Sequence, residues 1–155
     1  MNRRRFVFAL AGAAGLAGLG ATSASAQSWN YRRYKRVDVD ATIRRCERST
    51  DQFVHVFDNQ LDKSPLNDTE REDKLNEKAR DLENAMDKLR EDFNKRDESW
   101  WESRETASEA LHHAKGINNS MRSRRYRQGT EQLWWQVRTD LNRLAYYFGL
   151  PGLQR

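Results

Sequence analysis

The chain has 155 residues, a length that suits one domain better than two. Charged residues make up 33% of it, proline occurs twice and cysteine once. That composition excludes a multi-span membrane protein, a disulfide framework, a cysteine-rich zinc module and a Cys-x-x-Cys-His haem attachment.

The net charge of +5 suggests a nucleic-acid ligand, but Arg3, Arg4 and Arg5 stand in the first 26 residues with no acid among them. Setting those three aside leaves 25 basic against the 23 acidic side chains, or +2. So small a balance exerts little general pull on phosphates, and no nucleic-acid partner is expected.

The three arginines open an uncharged run over residues 6–21, rich in Ala, Gly and Leu, and Ala24-Ser25-Ala26 follows with small residues. This is the layout of a cleavable signal peptide, with the mature chain expected to begin at Gln27. The apolar run, about 16 residues, falls short of the ~20 that a spanning helix needs. Asn2-Arg3-Arg4-Arg5-Phe6-Val7 resembles the bacterial twin-arginine export motif, with departures at Asn2 and Phe8. The general-secretory and twin-arginine routes both stay open. Either one implies a periplasmic or secreted protein that does not span the membrane once its leader is removed. The remaining chain divides into a basic and aromatic segment at 27–37, a folded body at 38–150 and a tail at 151–155.

Four amphipathic helices are predicted in the body from apolar residues at alternating spacings of three and four. The first stripe is Val39, Ile43, Cys46, Thr50, Phe53, Phe57 and Leu61, and the second is Leu75, Ala79, Leu82, Met86, Leu89 and Phe93. The third is Ala107, Leu111, Ala114, Ile117 and Met121; the fourth is Trp134, Val137, Leu141, Leu144 and Phe148. Asn67 or Asp68 is expected to cap the second helix, and Ser99-Trp100-Trp101-Glu102 reads as a capping box for the third. Gly129-Thr130 opens the fourth, and Gly149 followed by Pro151 closes it. Short connections make sequential helices antiparallel, so the expected fold is all-α, an up-down-up-down four-helix bundle behind a cleavable signal peptide. A two-helix hairpin that dimerises is the competing arrangement, and a homo-oligomer stays open.

Charge is unevenly placed: residues 27–61 carry +2, residues 62–109 carry −6 and residues 110–155 carry +6.

The residues give little support to catalysis. No Gly-x-Ser-x-Gly, Gly-rich phosphate loop or cysteine with a buried histidine partner is present, so a non-enzymatic protein without a cofactor is expected. His55, His112 and His113 all fall off the apolar faces. Glu109 and His112 have the Glu-x-x-His spacing of di-iron bundles but lack a second copy, and are at most weak metal candidates. Cys46 lies on the first apolar face and reads as a small buried hydrophobe, with cross-linking or redox exchange as its alternative.

Two features remain. Arg122, Arg124, Arg125 and Arg127 flank Tyr126 in the third connection, a compact site for carboxylate or phosphate. A second basic cluster, Arg32-Arg33-Tyr34-Lys35-Arg36, is expected at the other end of the bundle. Trp135 and Tyr146, with Trp101, Trp29, Tyr31 and Tyr34, form an aromatic excess outside the stripes. They read either as partner contacts or as rings covered by a folded-back N-terminal segment. The expected function is therefore a binding or structural module for an anionic envelope component or an acidic protein. A metal or cofactor carrier exported in folded form is the alternative.

Overall fold

A computed structural model describes residues 33–123 and 125–154; the expected signal peptide, Trp29, Tyr31 and Arg124 lie outside them. The described residues contain four α-helices and no strand: α1 (Arg36–Asp62), α2 (Glu70–Lys95), α3 (Arg104–Ser123) and α4 (Gln128–Tyr147). A short 3₁₀ turn, Trp100–Ser103, joins α2 to α3. Every residue of the four apolar stripes is buried, from Val39 in α1 to Phe148 after α4. Period and burial agree because each helix has one greasy face that only another helix can cover.

Each helix packs on its neighbours in sequence, and α4 also packs on α1; α3 and α4 are the least closely apposed of these pairs. Cross-helix contacts run in opposite senses. Glu47 meets Arg90 at 3.2 Å, while Asp58 meets Arg80 at 3.8 Å. Asp92 accepts from Thr106 at 3.0 Å, and Glu109 pairs with Lys88 at 2.8 Å. Arg45 reaches Asp140 at 3.5 Å, and Gln60 meets Thr130.

Aromatic rings close the two ends. Phe53 stacks on Phe57 and tilts against Trp134, both at 5.1 Å, and Phe57 meets Tyr126 at 5.5 Å. At the opposite end Trp100 stands edge-on to Phe148 at 5.5 Å, and the Arg36 guanidinium lies 4.7 Å above Phe93. Such pairings add to the gain from burying the rings themselves.

The caps differ from expectation in two places. Thr69, not Asn67 or Asp68, caps α2: its hydroxyl accepts from the Glu72 amide at 3.3 Å, while Glu72 accepts from the Asp68 amide at 2.7 Å. Asp68 instead takes the left-handed conformation (φ 60°) that lets the chain enter the helix, a geometry Asp tolerates. The capping box at Ser99 does not form, since its side chain makes no cap bond. Burying Trp100 tightens the chain into the 3₁₀ turn, and Arg96 takes the Glu102 carboxylate at 2.7 Å. At the far end Gly149 is left-handed (φ 59°) and terminates α4 where expected.

Among the described residues, no helix is long and apolar enough to cross a membrane.

Candidate functional site

The loose contact between α3 and α4 leaves a groove, and the segment after α4 lies in it. Once Gly149 turns the chain, Leu150 donates its amide to Ala145 at 2.9 Å, and Pro151 prevents any further helix. Residues 151–154, of the tail expected at 151–155, then run back along the groove. Leu153 is buried, and both of its backbone polar groups pair with one side chain. Asn142 Oδ1 accepts the Leu153 amide at 2.6 Å, and Asn142 Nδ2 donates to the Leu153 carbonyl at 3.3 Å. Asn118 Nδ2 donates to the Gln154 carbonyl at 2.9 Å, while Trp134 Nε1 donates to Asn118 Oδ1 at 3.1 Å and holds that amide in place.

Two concavities border this segment. A cleft of about 390 Å³ lies between it and the outer face of α3, lined by Ser108, Leu111, His112 and Lys115. A crevice of about 210 Å³ continues along α4, lined by Met121, Glu131, Trp134, Trp135 and Arg138. Asn118 and Arg122 line both, so the two are halves of one groove.

The charge around the groove is unbalanced. Among the described residues, none of Lys115, Arg122, Arg125, Arg127, Arg138 and Arg143 forms an ion pair within 4.0 Å, whereas on α2 and its end Lys74, Arg80, Lys88, Arg90, Lys95 and Arg96 do and Arg71 and Lys78 do not. Of the two acids on α4, Asp140 pairs with Arg45 at 3.5 Å, and Glu131, which lines the crevice, accepts from the Tyr126 amide at 2.9 Å.

The residues singled out from the sequence divide accordingly. Arg122, Arg125 and Arg127 are exposed, and Arg122 and Trp135 line the same crevice, Trp135 at 59% exposure. Tyr126 departs from the expected surface ring: it is half-buried against Phe57, because its position is needed to close the core. Tyr146 is 67% exposed but lies near the other end of α4, 5.5 Å from Tyr34. A hydrogen bond with Tyr146, assisted by partial burial, holds the Tyr34 phenol above its ordinary pKa. Tyr34 therefore covers this ring in part, and Trp101 also packs against the core rather than standing free.

His55 and His112 are exposed. His113 faces Asp81 at 3.8 Å, and Glu109 is taken by Lys88 at 2.8 Å. Glu109 and His112 are not joined by further ligands: among the described residues, no group of three or more His, Cys, Asp or Glu could hold a metal ion. Cys46 is completely buried, and burial, followed by the nearby Asp140 charge, pushes its thiol well above the usual range. That placement opposes the cross-linking and redox alternatives, which need an accessible thiolate.

Arg138, Asn118 and Asn142 were not singled out from the sequence. Asn118 carried a signal, a carboxamide on the apolar face of α3 one turn beyond Ala114. Compared with protein-family models, curated proteins and solved structures, the chain matches none.

Proposed function

We propose that the protein is an exported, non-enzymatic binding module: an up-down-up-down four-helix bundle that presents its α3–α4 half to an anionic partner. The observation that carries this reading is the set of exposed cations in that half, including Arg122, Arg125 and Arg127, without ion-pair partners among the described residues, beside exposed Trp135. Most cations of α2 and its end pair with a carboxylate, as Lys88 and Arg90 do. Arginines left open next to an indole suit recognition of carboxylates by paired hydrogen bonds and stacking. The leader over residues 1–26 supports export and a periplasmic or secreted location. N-terminal sequencing of the exported form should begin at Gln27.

Retention on immobilised poly-L-glutamate tests the binding reading. The expected result is retention at ~0.05 M salt that is lost by ~0.3 M. Replacing Arg122, Arg125, Arg127 and Arg138 together by Ser should abolish it while the thermal unfolding transition stays cooperative. Equal retention by the variant would overturn the assignment.

A further inference from the structure

The segment in the α3–α4 groove is bound as a peptide ligand is bound, through its backbone. Asn142 reads the N–H and C=O of Leu153, and Asn118 reads the C=O of Gln154. Pairing to main-chain groups fixes an extended strand whatever its side chains are, and pockets then choose among sequences. Here two positions are selective. Leu153 is the side chain buried in the groove, and a Cβ at Gly152 would stand 2.8 Å from Asn142 Oδ1. The groove also runs on beyond Gln154, into the crevice lined by Arg122, Trp135 and Arg138, where the carboxylate of Glu131, also in the lining, is taken by the Tyr126 amide. Arg138 lies one helical turn from Asn142 and Trp135 nearly two, or ~6 and ~10 Å along the axis. An extended chain covers ~3.3 Å per residue, so those side chains face positions two and three after the leucine.

From this geometry we infer that the α3–α4 groove is a receptor for an extended segment of a partner protein, carrying Gly-Leu followed within two or three residues by acidic side chains, and that residues 151–154 form a displaceable strap occupying part of it. The acidic preference rests on the reading of this half as an anion-binding surface; the carboxamide clasp stands apart from it. Gly149, left-handed at φ 59°, is the point at which the strap departs from α4. A resident strap lowers the apparent affinity of an incoming peptide by the fraction of time the groove is open.

The test uses the full chain and two labelled synthetic peptides, Leu-Pro-Gly-Leu-Gln-Asp-Glu-Asp and Leu-Pro-Gly-Leu-Gln-Ser-Ser-Ser, followed by fluorescence anisotropy. Gly152→Val crowds Asn142 Oδ1 and is expected to unseat the strap while changing no residue of α3 or α4. It should strengthen binding of the acidic peptide by about tenfold or more, the cost of displacing a strap held by ~1.4 kcal/mol. Adding Asn142→Leu should abolish that gain, and the serine-flanked peptide should bind several-fold more weakly. In the unmodified chain, saturating acidic peptide should deprotect the Leu153 amide in hydrogen exchange, a readout that survives if Gly152→Val fails to fold. No gain in affinity together with unchanged Leu153 exchange would overturn the receptor, whatever poly-glutamate retention shows. Equal affinity for the two peptides would overturn the acidic preference. A concentration-dependent dimer of the Gly152→Val chain would assign the groove to the strap of a second copy and overturn the partner-protein assignment.

Discussion

The Asn142 carboxamide makes two hydrogen bonds to the backbone of Leu153, at 2.6 and 3.3 Å, eleven residues further along the chain. One side chain thereby satisfies both main-chain groups of a residue that is neither helix nor strand, which is how an irregular segment becomes tolerable in a buried position. This relationship ties the end of the described chain to the face on which the unpaired cations stand.

Removing the clasp should cost stability and do so cooperatively with the leucine it holds. Asn142→Ala is expected to destabilise by about 1–3 kcal/mol, since it leaves the Leu153 amide without its partner. In a urea double-mutant cycle with Leu153→Ala the two losses should fall short of additive by more than about 0.5 kcal/mol. Strict additivity would mean that the two residues act separately.

Adjacent tryptophans should behave oppositely. Trp134 is 3% exposed, packs on Phe53 and donates to Asn118, so Trp134→Ala should cost about 3–5 kcal/mol. Trp135 is 59% exposed, and Trp135→Asp should stay within about 0.5 kcal/mol of the parent while losing poly-glutamate retention. Denaturant titration of both variants, run beside the retention assay, checks the contrast.

The acids on the α1–α2 side should penalise the fold at neutral pH. Partial burial first, and then the Asp87 and Glu47 charges, raise the carboxyl of Asp51, while burial followed by the Asp51 and Asp87 charges raises that of Glu83. A raised folded-state value means a contribution present in acid and lost as pH rises through that value. Asp51→Asn should therefore raise the melting temperature at pH ~7 by about 1–3 °C, with the gain vanishing by pH ~3.

Asp92 has the reverse sign. Burial alone would raise its carboxyl, but hydrogen bonds from Arg96 at 2.8 Å and Thr106 at 3.0 Å outweigh it and hold the value below the ordinary range. Its contribution is present above the ordinary carboxylate pKa and is lost as pH falls through the depressed one. Thr106→Val should cost about 1 kcal/mol at neutral pH, and the difference should shrink in acid. Stability against pH for the two chains measures both effects.

Much of the fold was legible because helical periodicity is local. Val39 through Leu61, or Trp134 through Phe148, can be assigned to one face from spacing alone, and every such residue is buried. The two missed caps were decided by neighbours. Glu102 matched the spacing of a capping box, but the Trp100 ring and Arg96 claimed that turn. Tyr126 sat among arginines in sequence, yet Phe57, on another helix, drew it inward. The groove was least legible of all. Asn118 and Asn142 acquire their role only when a segment after α4 folds back on them, a contact that no stripe of apolar residues encodes.

Amide chemical-shift mapping of the isotopically labelled chain with poly-L-glutamate puts the anion-binding α3–α4 half to its most direct test. Shifts concentrated at Arg122, Arg125, Arg127, Trp135 and Arg138 are expected, with the residues around Asp51 and Glu83 unmoved. Shifts confined to the Tyr34–Tyr146 end, or none at low salt, would contradict that assignment.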